Sequence, residues 1–494
     1  MKPNFLIFVV DQMASQSLGC NGHPEVRTPN IDRLAGAGTT FRRAYCNAPV
    51  CQPSRATMLT GLTPRQHGLV SNGNALDVHV PTATAALAAA GYRTHSVGKL
   101  HLQPFINIAR DYKPEDTVES CESEYAWRHG RVTSLPPDYY GFQTTDFIGG
   151  HGYYCFGDYS NWLNRVHPDP AGLYVDGNTQ GRFKTETAKN LPPELHYNHW
   201  IADRAIAFLE DADAGQPFFL WCSFPDPHHP FSANRKYAEL YNPATLTINP
   251  TWQHTGEPCA HLTPFRQKRP VLDEDNLRRI TAETHGMITH IDEQIGRVMT
   301  RVERDGPDRN TVIVFMSDHG EYLGSHGLHQ KDRWPYEELD RVPFVWKTPG
   351  TTSGPSDAVV SLLDFVPTIL DYAGLPADVL DRREVKPDHA RFLPGRSLRA
   401  WLDHGDHLSE RPALIEFDSP PGAGPRTLVE SRWKLTIFPP TGQGLLFDLE
   451  ADPHETRNLW DEPACALEKA RLTLRLLEEL AMSDRIDHTR IANA

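Results

Sequence analysis

An apolar run that ends on an acid occurs twice: "FLIFVVDQ" closes on Asp11 and Gln12, and "TVIVFMSDHG" closes on Asp318 and His319. One such Asp ordinarily caps a turn. If the two ends meet, they bring together the carboxylate, amide and imidazole donors that a divalent cation takes. Open α/β sheets place their sites at the carboxyl ends of strands, where both pairs fall. Other reactive groups sit in short polar clusters. "CQPSRATMLTG" holds Cys51 and Arg55 at the head of a helix-like run, and "GKLHL" holds Lys99 and His101 two apart, on one face of an extended backbone. "PDPHHP" holds His228 and His229, and "HQKDRW" holds Lys331. Cys51 has a plain structural reading, a small apolar side chain beside Pro53 in the first turn of a helix. As a thiol nucleophile it would need an activating base.

These groups meet only if the fold gathers them. The chain has 494 residues, 39% hydrophobic and 23% charged, enough for one large core and a smaller unit. Short apolar runs bounded by turn residues predict strands at 5–11, 93–98, 217–224, 311–318 and 342–347, with helical patterns at 28–38, 198–212 and 273–304 between them. Unbroken apolar strands alternating with helices imply an α/β fold, a large mainly parallel sheet flanked by helices. The stretches 105–195 and 240–272 are irregular and aromatic, as ordered pocket walls are, and 376–395 reads as a connector. Beyond it, "PALIEF", "RTLVES", "KLTIF" and "GLLFDL" precede a helix at about 463–481, a smaller C-terminal antiparallel sheet plus helix. The expected division is a catalytic α/β domain over 1–400 and an α+β subdomain over 401–494.

Lys and Arg number 49 against 63 Asp and Glu, a net charge of −14, so no global basic field draws nucleic acid or an anionic membrane. Any anion must be held by local positive groups. The eight cysteines are scattered without C-x-x-C pairs, which fits a reducing compartment rather than a disulfide framework. The apolar run at 5–10 is too short for a membrane span and lacks a small-residue cleavage site. The expected location is cytoplasmic.

The run from Cys51 to Gly61 resembles the sulfatase signature, in which the cysteine is converted after translation into Cα-formylglycine. The match fixes Cys51, Pro53, Ser54, Arg55, Thr60 and Gly61 in one register. "GKLH" resembles the family's G-K-x-H element, P-H-x-P at 227–230 selects His228, and 318–350 resembles the segment carrying the second ligand pair and a second lysine, Lys331. The resemblance continues to "LFDLEADPHETRNL" at 446–459.

It implies an alkaline-phosphatase-like fold and an arylsulfatase-like sulfuric ester hydrolase. The implied reaction cleaves the sulfate ester of a small organic molecule (aryl, alkyl, choline or sugar) through a metal-bound formylglycine hydrate and a covalent sulfo-enzyme intermediate. Under the resemblance Asp11, Gln12, Asp318, His319 and the modified residue 51 hold one divalent metal. Gln12 departs from the common pair of consecutive acids. Ca²⁺ is the implied ion, with Mn²⁺ or Mg²⁺ as alternatives, since the nitrogen of His319 suits Mn²⁺. Arg55 would steady the hydrate, and Lys99 and Lys331 would bind sulfate. His101 would take the proton whose loss restores the aldehyde, and His228, with Lys331, would protonate the departing alcohol. Asn72 in "LVSNGNAL" would donate to the transferred group. A formylglycine-generating enzyme is the implied maturation partner.

The rival enzyme is a phosphonate monoester or phosphodiester hydrolase of the same superfamily, expected to carry Tyr and Thr in place of the G-K-x-H element. A non-catalytic binding protein with a vestigial site would show damaged ligand positions, whereas every expected charged position is filled. Asp226, Trp252, His196 and His199 are candidate substrate contacts. Glu337, Glu338 and Arg341 read as a structural salt network.

Overall fold

The computed structural model describes residues 2–483 except 106–119, 168, 170–172, 174–189, 213–214, 270, 305–309, 351–353, 381–392 and 419–423. Parts of the irregular stretch 105–195 and most of the connector 376–395 therefore lie outside the described residues.

The large sheet contains β1 (Asn4–Val10), β2 (Thr39–Tyr45), β3 (Arg93–Gly98), β4 (Thr144–Gly149), β5 (Phe156–Gly157), β6 (Phe218–Phe224), β7 (Thr311–Ser317), β8 (Arg341–Val342), β9 (Phe344–Lys347) and β10 (Ser356–Ser361). They lie in the order β10-β2-β9-β7-β1-β6-β3-β4-β5, with β8 paired to β2. The centre, from β7 to β4, is parallel. The sheet as a whole is mixed: β9 enters antiparallel between β2 and β7, and β5 and β8 also run against their neighbours.

Unbroken apolar strands need cover on both faces. On one face Phe5, Ile7, Val9, Trp221 and Val314 pack with Ala56 and Met58 of the helix Cys51–Thr60 and with Phe365 and Ile369 of the helix Phe365–Tyr372. On the other, Leu6, Phe8, Val10, Leu220 and Phe315 meet the helices Pro29–Gly36, Tyr197–Glu210 and Glu274–Arg304. Adjacent residues of one strand divide between the two cores, as period-two alternation requires.

The C-terminal strands β11 (Ala413–Glu416), β12 (Arg426–Val429), β13 (Trp433–Phe438) and β14 (Gln443–Asp448) form an antiparallel meander. Leu472 and Leu476 of the helix Ala466–Met482 pack on one of its faces. The other face joins the rest of the chain, Phe438, Leu445 and Phe447 packing with Tyr322, Trp334 and Tyr336. Beside this contact Lys434, fully buried, lies 3.2 Å from Glu337, 3.1 Å from Asp340 and 3.1 Å from Glu455. Arg341 stands 3.7 Å from Glu337 in the same network. Burial pushes Asp340 up to about 6, because one ammonium cannot hold three carboxylates ionised. Lys434→Met strands those acids without their central cation and is expected to cost about 3–5 kcal/mol, read as a fall in melting temperature. Among the described residues no helix is long and apolar enough to cross a membrane.

Candidate active site

β1 and β7 are neighbours in parallel register, Val10 opposite Ser317, so the next residues, Asp11 and Asp318, emerge side by side at the carboxyl edge. The Asp318 amide donates to Val10 O at 3.2 Å, which continues the ladder to the site. Gln12 then turns away with φ 64°, and its amide donates to Asp318 Oδ1 at 3.0 Å. The His319 amide donates to the same oxygen at 2.9 Å.

The signature residues lash the helix Cys51–Thr60 to that edge, and all ten of its residues are buried. Arg55 lies one turn after Cys51. Its Nε donates to Asp318 Oδ2 at 2.7 Å, and its Nη1 to Lys99 O at 3.0 Å and Ser223 Oγ at 2.9 Å. Ser54 Oγ donates to Asp318 O at 2.5 Å. Gly61 ends the helix at φ 69°, the left-handed cap that glycine takes without strain. In the G-K-x-H element Gly98 has φ 99°, and a Cβ there would lie 1.9 Å from Ser223 O; only glycine lets the chain turn here to deliver Lys99.

Cys51 Sγ lies 2.8 Å from Lys331 Nζ, 3.2 Å from His319 Nε2 and 3.4 Å from Asp11 Oδ1. Lys99 Nζ donates to Asp11 Oδ2 and lies 2.7 Å from His151 Nε2. His228 has Nδ1 2.6 Å from His229 O, which places the ring hydrogen on Nδ1 and leaves Nε2 to accept from Lys331 Nζ at 3.1 Å. The His151 ring stacks on His228 at 3.6 Å and 7°. His101 takes φ 59°, and its ring stacks on Phe105 at 3.8 Å.

Burial opposes the ionisation of Asp11, but Lys99, the hydrogen bond with His151 and Arg55 outweigh it and hold the carboxyl well below the usual range. Burial and the Asp11 charge push the Cys51 thiol up. Burial, then His151 and His229, pushes His228 well down, so the ring is neutral at pH 7. Burial opposes the charge on Lys331, yet Cys51 and Asp11 carry its ammonium above the ordinary value.

The donor set fits a divalent cation. Asp11, Cys51, Asp318 and His319 are buried, and their ligand atoms lie within 4.8 Å of one another. His319 Nδ1 lies 2.9 Å from Gly320 O and donates to it, which frees Nε2 for the inner side. Gln12 Nε2 donates to Glu321, while Gln12 Oε1 is buried without a hydrogen-bond partner, an orphaned acceptor that a cation would satisfy. Asp11, Gln12, Asp318 and His319 would hold the ion, which when bound polarises an attacking oxygen and offsets anionic charge.

The fold thus gathers Asp11, Gln12, Cys51, Arg55, Lys99, His228, Asp318, His319 and Lys331 at one sheet edge, with His101 beside Lys99. His151 escaped the sequence reading. It sits in an aperiodic Gly- and Tyr-rich loop after β4, and the only cue was a histidine close behind a strand end. Asn72 is exposed, and its Oδ1 accepts from the Gln52 amide at 3.0 Å, satisfying a free donor at the start of the Cys51 helix. The loop residues proposed as substrate contacts turn their side chains to the scaffold, although the Asp226 carbonyl accepts from the Asp11 amide at 3.2 Å. Asp226 accepts from Tyr197 and, at 2.8 Å, from Asn198; His196 caps the helix Tyr197–Glu210; His199 pairs with Asp203; and Trp252 packs on the cluster of Phe231 and Leu277.

The chain is 29% identical over 474 residues to the arylsulfatase of Clostridium perfringens, covering 93% of this chain and 90% of that one. It is 28% identical to the choline-sulfatase of Rhizobium meliloti, covering 96% and 85%. The phosphonate monoester hydrolase of Agrobacterium radiobacter superposes with a TM-score of 0.77 over 98% of this chain and 96% of that one; at 24% identity this likeness speaks for the fold alone. Residues 3–375, which span β1, the Cys51 helix and both strand-end pairs, match the family model described as Sulfatase. The chain accordingly belongs to the sulfatases, sulfuric ester hydrolases of the alkaline phosphatase superfamily.

Proposed function

We propose that the protein is a formylglycine-dependent sulfatase that hydrolyses the sulfate ester of a small organic molecule, with Cys51 as the converted residue and Ca²⁺ as the bound ion. The observation that carries this reading is the surroundings of the Cys51 side chain: a cation cage on one side and the ammonium of Lys331 at 2.8 Å on the other.

Once hydrated, the aldehyde of residue 51 bears two hydroxyls on one carbon. As the oxygen of the first attacks sulfur, its proton passes to the Asp11 carboxylate, 3.4 Å from the Cys51 side chain. The bond from sulfur to the alcohol oxygen breaks with its electron pair leaving on that oxygen. Lys331 and His228 share a proton across 3.1 Å and deliver it to that oxygen. Lys99 and Lys331 face the charge that grows on the sulfuryl oxygens, the largest expected contribution to rate, while Arg55 steadies the hydrate. His151, 2.7 Å from Lys99, fixes the direction of that ammonium. His101 then takes the proton of the second hydroxyl, the carbon–oxygen bond to sulfate breaks and the aldehyde returns. Serine could perform only the first attack.

Lys331 also lines a cavity of about 250 Å³ against the start of the Cys51 helix, walled by Val50, Asn72, Arg269, Asp332 and Phe417. That room is below the roughly 300–1,000 Å³ of sites for drug-sized ligands, which supports a leaving alcohol of one ring or less.

The test is the mass of the tryptic peptide Ala44–Arg55 from protein made in its own host. Exchange of H₂S for oxygen, together with faster hydrolysis of para-nitrophenyl sulfate than of a phenyl phosphonate monoester, supports the proposal. An active enzyme with an intact thiol at full occupancy overturns it, and the reverse substrate preference favours the phosphonate hydrolase.

A further inference from the structure

We infer that Glu122, which belongs to neither the cation cage nor the sulfate-binding set, is the positioning residue for His101. The inference rests on the reading above, in which His101 restores the aldehyde.

After β3 the chain must turn sharply to aim Lys99 at Asp11 and then bring His101 inward. His101 meets that demand with φ 59°, a left-handed conformation that residues other than glycine rarely adopt unless their surroundings impose it. The surroundings here are one carboxylate. Glu122 Oε2 accepts from the His101 amide at 2.7 Å, and Oε1 accepts from the amides of Leu102 at 3.0 Å and Gln103 at 3.3 Å and from the Tyr139 hydroxyl at 2.7 Å. The clasp is reciprocal: Gln103 Oε1 accepts from the Cys121 amide at 3.1 Å and from Ser120 Oγ at 3.2 Å, which ties the strand of chain bearing Glu122 back to the loop.

Glu122 is fully buried and, among the described residues, is met by hydrogen-bond donors and by no cation. A buried carboxylate without a cation is costly unless its lone pairs are filled. Four donors fill them, and three belong to consecutive residues beginning at His101. The carboxylate therefore acts as a template for this turn. Its consequence falls on the imidazole: His101 Nδ1 is buried without a hydrogen-bond partner, and among the described residues the ring is held by its backbone and by the stack on Phe105 at 3.8 Å and 17°. A small shift of the backbone therefore moves the base away from the proton it must take, and proton transfer tolerates little misplacement.

The affected step is release. In the sulfo-enzyme the first hydroxyl oxygen of residue 51 is bonded to sulfur. Release requires the second hydroxyl to give its proton to His101, the carbon–oxygen bond to sulfate to break with its electron pair leaving on sulfate, and the aldehyde double bond to form. Attack and departure of the alcohol do not use His101, so a misplaced His101 leaves the first half of the reaction running.

The experiment compares the wild type, His101→Ala, Glu122→Gln and Tyr139→Phe with para-nitrophenyl sulfate. Glutamine keeps the shape but sets an NH₂ against backbone N–H donors. Glu122→Gln is expected to give a first-turnover burst of nitrophenol and then a steady rate lower by roughly 10²–10³-fold, with sulfate retained on the peptide bearing residue 51, as in His101→Ala. Tyr139→Phe removes one donor of four, keeps its ring in the core and is expected to show the same burst with a milder slowing. If Glu122→Gln does not fold, the burst and decay of Tyr139→Phe decide. A folded Glu122→Gln whose steady rate is unchanged, or whose burst and steady phases fall together without a sulfated peptide, overturns the inference, as does unchanged decay in Tyr139→Phe. If His101→Ala itself traps no sulfate, the proposed mechanism fails; if it traps sulfate and the Glu122 and Tyr139 variants do not, only the role of Glu122 fails.

Discussion

Cys51→Ala is expected to remove hydrolysis of para-nitrophenyl sulfate, lowering kcat by at least about four orders of magnitude, because the proposed reaction forms its covalent bond to sulfur at residue 51. Folding should be nearly untouched. The side chain is 1% exposed, so its loss leaves a cavity the size of one sulfur atom and costs about 1 kcal/mol. Single-turnover kinetics and a thermal melt on the same sample separate the two effects. A folded alanine variant within tenfold of the wild type would remove residue 51 from the chemistry.

Arg55→Met is expected to act mainly on stability. The guanidinium is 1% exposed, lies 2.7 Å from Asp318 and 3.6 Å from Asp11, and also ties the Cys51 helix to the ends of β3 and β6. With it gone, Asp11 keeps Lys99, but Asp318 loses its arginine, and in chelator the cost should reach about 3–5 kcal/mol. A divalent cation binds the same two carboxylates and should recover part of that loss, so calcium should raise the melting temperature of the variant more than that of the wild type. Equal stability of the two proteins in chelator would show that Asp318 does not depend on Arg55.

What the sequence displayed was the middle of the sheet. β1, β3, β6 and β7 are short apolar runs closed by turn residues, and burial on both faces writes itself into the chain as hydrophobicity. β2 carries Arg42 and Arg43 at its centre and breaks that pattern. Arg42 is satisfied by Asp357 at 2.5 Å across the neighbouring β10, and Arg43 reaches Glu430 O at 3.0 Å, partners that no local reading supplies. β9 read correctly as a strand, but its direction is set by long-range pairing. The site divides in the same way. Groups lying in contiguous motifs were legible because their spacing is local. His151 and Glu122 were not, since each acts through residues distant in sequence, Asp11 and His228 for the one and the turn at His101 for the other. The opposite error arose where a polar side chain proved to serve the scaffold: Asp226 looked like a pocket residue and instead receives Tyr197 and Asn198.

The helix that begins at Cys51 has no exposed residue, and the strand end that seals it, Asp318 and His319, is synthesised long after residue 51. On the proposed chemistry, a maturation enzyme must therefore reach the thiol before the sheet closes over it. At translation rates of about 5–20 residues per second, that window lasts on the order of tens of seconds. The fraction of catalytically competent molecules is then the outcome of a race between modification and folding, won or lost during synthesis, and a substitution that merely hastens collapse could lower the yield of active enzyme without touching the finished site.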